Sequence, residues 1–211
     1  MTLRAPQPHR LNPLLRISYS LAAPFYDALI ERPMREARKR SLQALPTGEC
    51  RQILISGVGT GLDLPWLPRL HRYTALDFNP AMLARAKLRQ HGLEVSFVLG
   101  DSMALPFPDA HFDHVVLHLI LAVVPNPKHC LSESARVLKP GGTIILFDKF
   151  LQPQQPAPLR RLLNILTRRI ATRLDVVFED VLQAAPMLAV MRDEPMLARG
   201  WFRGIVLQKT I

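Results

Sequence analysis

The sequence predicts an α/β domain: a mostly parallel sheet of seven strands with helices on both faces and a helical cap at the N-terminal end. Three observations carry that expectation. Beyond Gly48, short unbroken apolar runs alternate with stretches of good helix formers. Strands buried on both faces read as such runs, and helical crossovers between them make the sheet parallel. The first run leads straight into a glycine-rich loop, Gly57-Val58-Gly59-Thr60-Gly61. Finally, 48% of the 211 residues are apolar, enough for one substantial core.

Pro6, Pro8, Pro13, Pro24 and Pro33 break the first third, so residues 1–47 are expected as short helical pieces forming a cap segment. Within it, Arg32 to Arg40 mixes Glu36 among its bases and reads as an ordinary helix with i,i+4 pairs. Gln52–Ser56 is the first strand and Tyr73–Leu76 the second. A helix is expected from Pro80 to about Gln90, with proline at its first position. Glu94–Leu99 and His114–His118 are the third and fourth strands. Lys128–Leu138 reads as a helix stopped by Pro140-Gly141-Gly142, before a fifth strand at Thr143–Phe147. A helix over Asp175–Ala184 and two strands, Met187–Met191 and Trp201–Leu207, complete the sheet as a hairpin-like pair. Asp193-Glu194-Pro195 and a short helical piece are expected as the turn between them. Residues 48–211 thus form one domain, with 151–185 as a basic helical insertion.

Composition excludes several classes. Charged residues make up 21% and aromatics 7%, which is neither disordered nor fibrous. The longest apolar run, Val115 to Val124, is broken by His118 and closed by Pro125; a bilayer needs about 20 apolar residues, so no spanning helix is expected. Met1 to Pro13 lacks an apolar segment, which argues against a cleaved signal peptide. Cys50 and Cys130 lie too far apart to suggest a disulfide framework or a cysteine zinc site. A cytoplasmic location fits them best.

The formal charge of +10 is uneven: residues 1–50 hold eight Lys/Arg against four acids, 51–150 ten against eight, and 151–211 nine against five. From Pro158 to Leu174 there are five arginines and no acid. Leu159, Leu162, Leu163, Leu166, Ile170 and Leu174 recur at helical spacing, with Arg160, Arg161, Arg168 and Arg169 on the other face. A basic amphipathic helix of this kind suits an anionic lipid surface, which would place the protein peripherally at the inner membrane face; a helix docked on the domain with solvated arginines is the alternative. No basic stretch is interleaved with stacking aromatics, so no nucleic-acid partner is expected.

The informative constellation is strand, glycine loop, strand, acid. Glycines after a strand let backbone approach a ligand closely at the strand's carboxyl end. The spacing is G-x-G-x-G rather than that of a dinucleotide binder, and Pro65 and Pro68 shorten any helix that comes after the loop. Asp77 stands twenty positions after Gly57 at the end of the second strand, where a carboxylate can accept both hydroxyls of a ribose.

Four segments, ILISGVGTG, ALDFNPAML, GDSMALPFPDAHFD and ARVLKPGGTIIL, occur in that order over about 100 residues. Here the sequence resembles the class I S-adenosylmethionine-dependent methyltransferases, with their Rossmann-like sheet. It is most similar to the bacterial branches that methylate quinone precursors or phosphatidylethanolamine, through Tyr26-Asp27 and the run from Gly59 to Pro65. The resemblance implies S-adenosyl-L-methionine as cofactor. Gly57, Gly59 and Gly61 would approach its methionine part, Asp77 its ribose, with Phe78 and Met82 near the adenine. Asp101 would accept from the adenine amino group, flanked by Ser102 and Met103. His118 would stand where the transferring methyl points. One departure is Ile55, where the family usually has an acid that holds the cofactor's ammonium; Asp63 is the loop acid available to substitute.

His111, His114 and His118 raise a metal test. On a strand His114 and His118 share a face and His111 does not, and no acidic cluster completes a site, so no metal is expected. A phenol or enol carbon acceptor needs a base, for which His118, Tyr26 and Tyr19 are the candidates; buried packing is the other reading of each. The expected function is methyl transfer to an apolar or membrane-associated acceptor, a lipid amine or quinone-like ring. A soluble metabolite acceptor, or a cofactor-binding protein without turnover, are the alternatives. Acceptor choice is assigned to residues 1–47 and 151–185.

Overall fold

The computed structural model describes residues 33–151 and 175–210. The candidates Tyr19 and Tyr26, and the arginine-rich stretch 158–174, lie outside them.

Seven strands form one sheet: β1 (Gln52–Ser56), β2 (Arg72–Asp77), β3 (Glu94–Leu99), β4 (Phe112–His118), β5 (Leu138–Lys149), β6 (Leu188–Leu197) and β7 (Phe202–Lys209). Their spatial order is β3-β2-β1-β4-β5-β7-β6. Strands β1 to β5 pair in parallel, and β7 runs antiparallel between β5 and β6. The fold class is therefore as the sequence predicts, including the hairpin-like pair at one edge.

The helices are α1 (33–42), α2 (Pro80–Lys87), α3 (Pro127–Val137) and the short α4 (Phe178–Leu182). Helices α2 and α3 start alike. Asn79 Oδ1 accepts from Ala81 N–H at 2.9 Å, Asn126 Oδ1 accepts from His129 N–H at 3.2 Å, and a proline comes directly after each cap. The core has two halves divided by the sheet. Ile53, Ile55, Ala75 and Val116 face one side with Leu42, Leu83 and Ala86; Leu54, Leu76, Val115 and Leu117 face the other with Leu131 and Phe150. Burial on both faces explains the unbroken apolar runs.

Helix α4 is shorter than the expected Asp175–Ala184, and two segments expected to break the chain do not. Pro140-Gly141-Gly142 does not stop α3, which ends at Val137; the three residues lie inside β5. They form a bulge, since the register against β4 shifts between Phe112 and His114. Gly141 has φ +76, and a Cβ on Gly142 would lie 2.6 Å from the Asp113 carbonyl oxygen, so only glycine fits. Likewise Asp193-Glu194-Pro195 is no turn: it continues β6, with register shifts at Val190/Arg192 and Pro195/Leu197. At a sheet edge proline costs no ladder donor. Salt bridges from Arg203 to Asp193 and from Arg40 to Glu194 hold the segment extended. The turn is the 3₁₀ piece Ala198–Gly200.

With β2 on one side of β1 and β4 on the other, the chain reverses its winding at β1. A crevice opens there beyond the carboxyl ends of the strands, the usual ligand position in such sheets.

Candidate active site

A cavity occupies that crevice. In sheet order, Asp101 to Met103 line it after β3, Asp77 to Asn79 after β2, the glycine loop and Asp63 after β1, and His118 to Ile120 with Val123 to Pro125 after β4. Arg38 of α1 and Met82 of α2 complete the wall.

The three loop glycines all have positive φ, +78, +57 and +82, but they serve different ends. A Cβ on Gly57 would fall 2.5 Å from Ile120 Cδ1, so this turn and the β4 loop touch. A Cβ on Gly59 would meet nothing within 4 Å; its backbone borders the cavity. Gly61 does not line the cavity. Its Cβ would lie 2.9 Å from Ala86 Cα, so it lets α2 pack closely behind the loop. Of the three expected cofactor contacts, Gly57 and Gly59 border the cavity and Gly61 supports them.

Asp77 is fixed from below. Its Oδ2 accepts from Gly59 N–H at 2.8 Å and its Oδ1 from Asn79 N–H at 2.9 Å. Burial raises its pKa, with these backbone donors opposing the shift. Asp101 uses Oδ1 to accept from Met103 N–H at 2.8 Å, while its Oδ2 is buried without a hydrogen-bond partner. An unpartnered buried acceptor in a cavity wall calls for a donor from a ligand. Ser56 donates its hydroxyl to Ser102 Oγ at 2.9 Å. The loop beyond is braced from α3. Arg136 donates to the carbonyls of Leu105 and Phe107 at 3.0 and 2.9 Å, and Glu133 accepts from Leu105 N–H at 2.8 Å.

His118 is 5% exposed at the end of β4. Its Nδ1 lies 3.0 Å from Asp63 Oδ1 and its Nε2 3.1 Å from Ser41 Oγ of α1. Arg38 donates Nη1–H to the same Asp63 oxygen at 2.8 Å. Burial drives the Asp63 pKa up, but Arg38 and His118 outweigh it and hold the carboxyl well below the usual carboxylate range. An ionised Asp63 accepts Nδ1–H, which leaves Nε2 as the basic nitrogen facing the Ser41 hydroxyl. The other two histidines go elsewhere: His111 stacks on Phe107, and His114 Nδ1 lies 2.7 Å from Thr143 Oγ1.

Arg38 lines the cavity and Ser41 backs His118, although the sequence marks Arg38 only as part of an ordinary helix and does not single out Ser41. The available signal was their position. Met34, Ala37, Leu42 and Leu45 form the packed stripe of α1 and the turn after it, and Arg38 and Ser41 fall within it.

Residues 54–146 match the family model described as a methyltransferase domain. The chain is 34% identical over 179 residues to a phosphatidylethanolamine N-methyltransferase of Cereibacter sphaeroides, covering 82% of this chain and 88% of that one. The chain belongs to the class I S-adenosylmethionine-dependent methyltransferases. A demethylmenaquinone methyltransferase of Corynebacterium glutamicum is 32% identical over 174 residues, covering 78% of this methyltransferase and 73% of the relative. The fold extends further: a solved SAM-dependent methyltransferase from Methanosarcina mazei is 20% identical and superposes with a TM-score of 0.62, covering 78% of this chain and 95% of that one. S-adenosyl-L-methionine is thus the cofactor, and the unpartnered Asp101 Oδ2 and the open backbone at Gly59 fit it.

Proposed function

We propose that this methyltransferase acts on an apolar or membrane-associated acceptor, a lipid amine or a quinone-like ring. The observation that carries the reading is the wall beyond β4. Leu119, Ile120, Val123, Val124 and Pro125 put an apolar surface beside His118 in the same cavity. A phosphatidylethanolamine N-methyltransferase and a demethylmenaquinone methyltransferase among the relatives agree with it. So does the basic amphipathic sequence from Pro158 to Leu174, and no helix among the described residues is long and apolar enough to cross a membrane.

Bound S-adenosyl-L-methionine supplies an activated methyl group on its sulfonium. The chain's part is to orient, exclude water and manage a proton. Asp77, Phe78, Met82, Asp101, Ser102 and Met103 hold the nucleoside end, and Gly57 and Gly59 the amino-acid end by close backbone approach. His118 receives the proton of the acceptor at Nε2 past the Ser41 hydroxyl, and Asp63 stabilises the resulting imidazolium. Tyr19 and Tyr26 of the 1–47 cap segment, outside the described residues, are the other candidate bases.

Titration calorimetry with S-adenosylhomocysteine, beside an Asp77→Ala control, tests the cofactor site: binding lost in the control is expected. Turnover is then compared on phosphatidylethanolamine vesicles, a demethylated naphthoquinol and soluble amines. Methylation of soluble amines alone would reject the apolar acceptor. For the lipid surface, retention on anionic vesicles should be lost when Arg160, Arg161, Arg168 and Arg169 are all changed to Glu; unchanged retention would reject it.

A further inference from the structure

His118 ends β4 against an apolar cluster distinct from the wall beyond that strand. Its ring centre lies 5.6 Å from that of Phe147, Phe147 lies 5.8 Å from Phe202, and Phe202 lies 5.4 Å from Trp201. Phe147 and Phe202 are buried together with Ala37 of α1. Met34, Leu119, Met196, Leu197 and Trp201 pack against them, and each is only partly buried. Strand β7 runs antiparallel to β5 and pairs Phe202 with Lys149. The β6–β7 turn and Trp201 therefore stand at the carboxyl end of the parallel strands, the same end as the cavity.

Leu119 belongs to both regions, lining the cavity and packing on the cluster. Apolar surface thus continues from beside His118 out to Trp201. Contiguous apolar surface left partly open marks a binding place more often than a plain exterior. The backbone is also strained to build it. Five non-glycine residues among the described ones have positive φ, and three of them are here: Leu119 at +57, Ala198 at +52 and Arg199 at +55. Such conformations persist only where the surroundings hold them, and they concentrate at ligand-binding places. Leu119 N–H donates to the Phe147 carbonyl at 2.8 Å, and Phe150 N–H to the Trp201 carbonyl at 2.9 Å. Gly204 of β7 makes room for Met196, whose Cγ lies 2.9 Å from where a Cβ would stand. The unbranched side chains of Met34 and Met196 adapt to a flexible hydrocarbon.

We propose that this cluster receives the hydrocarbon chain of the methyl acceptor, with the reacting head at His118 and the chain leaving over Leu119 toward Met196 and Trp201. The inference deepens the apolar acceptor proposed above and rests on it. It narrows the acceptor to an amphiphile that carries a chain of several carbons beside its reacting head. A molecule seated in the cavity is the occupant because the surface begins there, at Leu119.

Trp66 and Trp201 are the two tryptophans of the chain, so Trp66→Phe leaves Trp201 as the sole indole. Bromine quenches indole fluorescence at contact. With S-adenosylhomocysteine saturating, 12-bromododecylamine below its micelle concentration should quench Trp201 saturably, and 3-bromopropylamine should not. Trp201→Phe, which keeps only Trp66, should show no quenching. Displacement of the brominated probe should reveal affinity rising at least tenfold from octylamine to dodecylamine, since each buried methylene is worth about fourfold. Adding Met196→Gln to Trp66→Phe should flatten that rise to about threefold or less. Its S-adenosylhomocysteine affinity should stay within about twofold, which shows that the variant is folded.

Absent or unsaturable quenching of Trp201 overturns the chain site, and so does equal quenching of Trp66. A chain-length dependence unchanged by Met196→Gln overturns it as well. A dimer in sedimentation that dodecylamine does not dissociate, with Trp201 unquenched, would make a second copy of the chain the occupant and the proposal wrong. Methylation of tailed acceptors without regard to chain length rejects the chain site and leaves the proposed function standing. Methylation of soluble amines alone, with Trp201 still quenched, rejects the proposed function instead.

Discussion

Asp148 at the end of β5 holds the apolar wall of the cavity through Ala122. Its Oδ2 accepts from Ala122 N–H at 3.1 Å and its Oδ1 from Lys149 N–H at 2.8 Å, and the carboxyl is fully buried. Residues on either side of Ala122, Ile120 and Val123, line the cavity. The backbone of the apolar wall is thus pinned by a group that can ionise.

Burial pushes the Asp148 pKa up from 3.8 to about 6, against the opposing pull of the backbone donors. The folded protein therefore holds that proton more tightly than the unfolded chain. Its stabilisation is complete below about pH 4 and is lost as pH rises through about 6. The loss should amount to roughly 2–3 kcal/mol, at 1.36 kcal/mol per pKa unit. Asp148→Asn keeps an acceptor for Ala122 N–H and should remove this component. Urea unfolding at pH 4.5 and 7.5 will show it as a smaller pH dependence than in the unaltered protein; identical pH dependence would reject the assignment.

Gly61→Ala should be far worse than Gly59→Ala. The first combines φ +82 with a Cβ 2.9 Å from Ala86 Cα and 3.0 Å from Leu64 Cδ1. Backbone strain of about 1–2 kcal/mol adds to overpacking of similar size. The second adds a methyl in open space, so its stability cost should stay near 1 kcal/mol while its cofactor affinity falls. Denaturation midpoints set beside S-adenosylhomocysteine binding separate the two.

Arg136→Met should loosen the loop after β3. It removes the donors to the Leu105 and Phe107 carbonyls and the ion pair that aims Glu133. Each lost hydrogen bond is worth about 1 kcal/mol. Amide exchange at Met103 and Leu105 should speed up, and S-adenosylhomocysteine should bind more weakly through the disturbed Asp101. Unaltered exchange there would show that the brace is dispensable.

His118→Ala should lower kcat by about 10²–10⁴ on a phenolic or enolic acceptor and leave S-adenosylhomocysteine affinity within a few fold. A drop of twofold or less would assign His118 to packing against Phe147, whose ring centre lies 5.6 Å away.

What was legible in the sequence was local. Gly57, Gly59, Asp77 and Asp101 each sit at a strand end, where a run of apolar residues leading into glycine or acid announces the position. Arg38 and Ser41 were not legible in that way, and Asp63 was reached only through the family resemblance, because their role is in pairs: Arg38 with Asp63 across 25 positions, Ser41 with His118 across 77. Only the sheet brings them together. The two misplaced boundaries have the opposite origin. Pro140-Gly141-Gly142 and Asp193-Glu194-Pro195 carry genuine turn chemistry, but ladder pairing to β4 and β7 absorbed them as bulges.

The contact between Gly57 and Ile120 couples the side chains that the two halves of the cavity can carry. With 2.5 Å between the missing Cβ and Ile120 Cδ1, neither position can grow unless the other gives way. Under the proposed function, acceptor preference is then set through Val123 and Val124, which line the same wall, while Ile120 stays tied to the glycine loop. A programme to retarget this enzyme would start its libraries there and leave Ile120 alone.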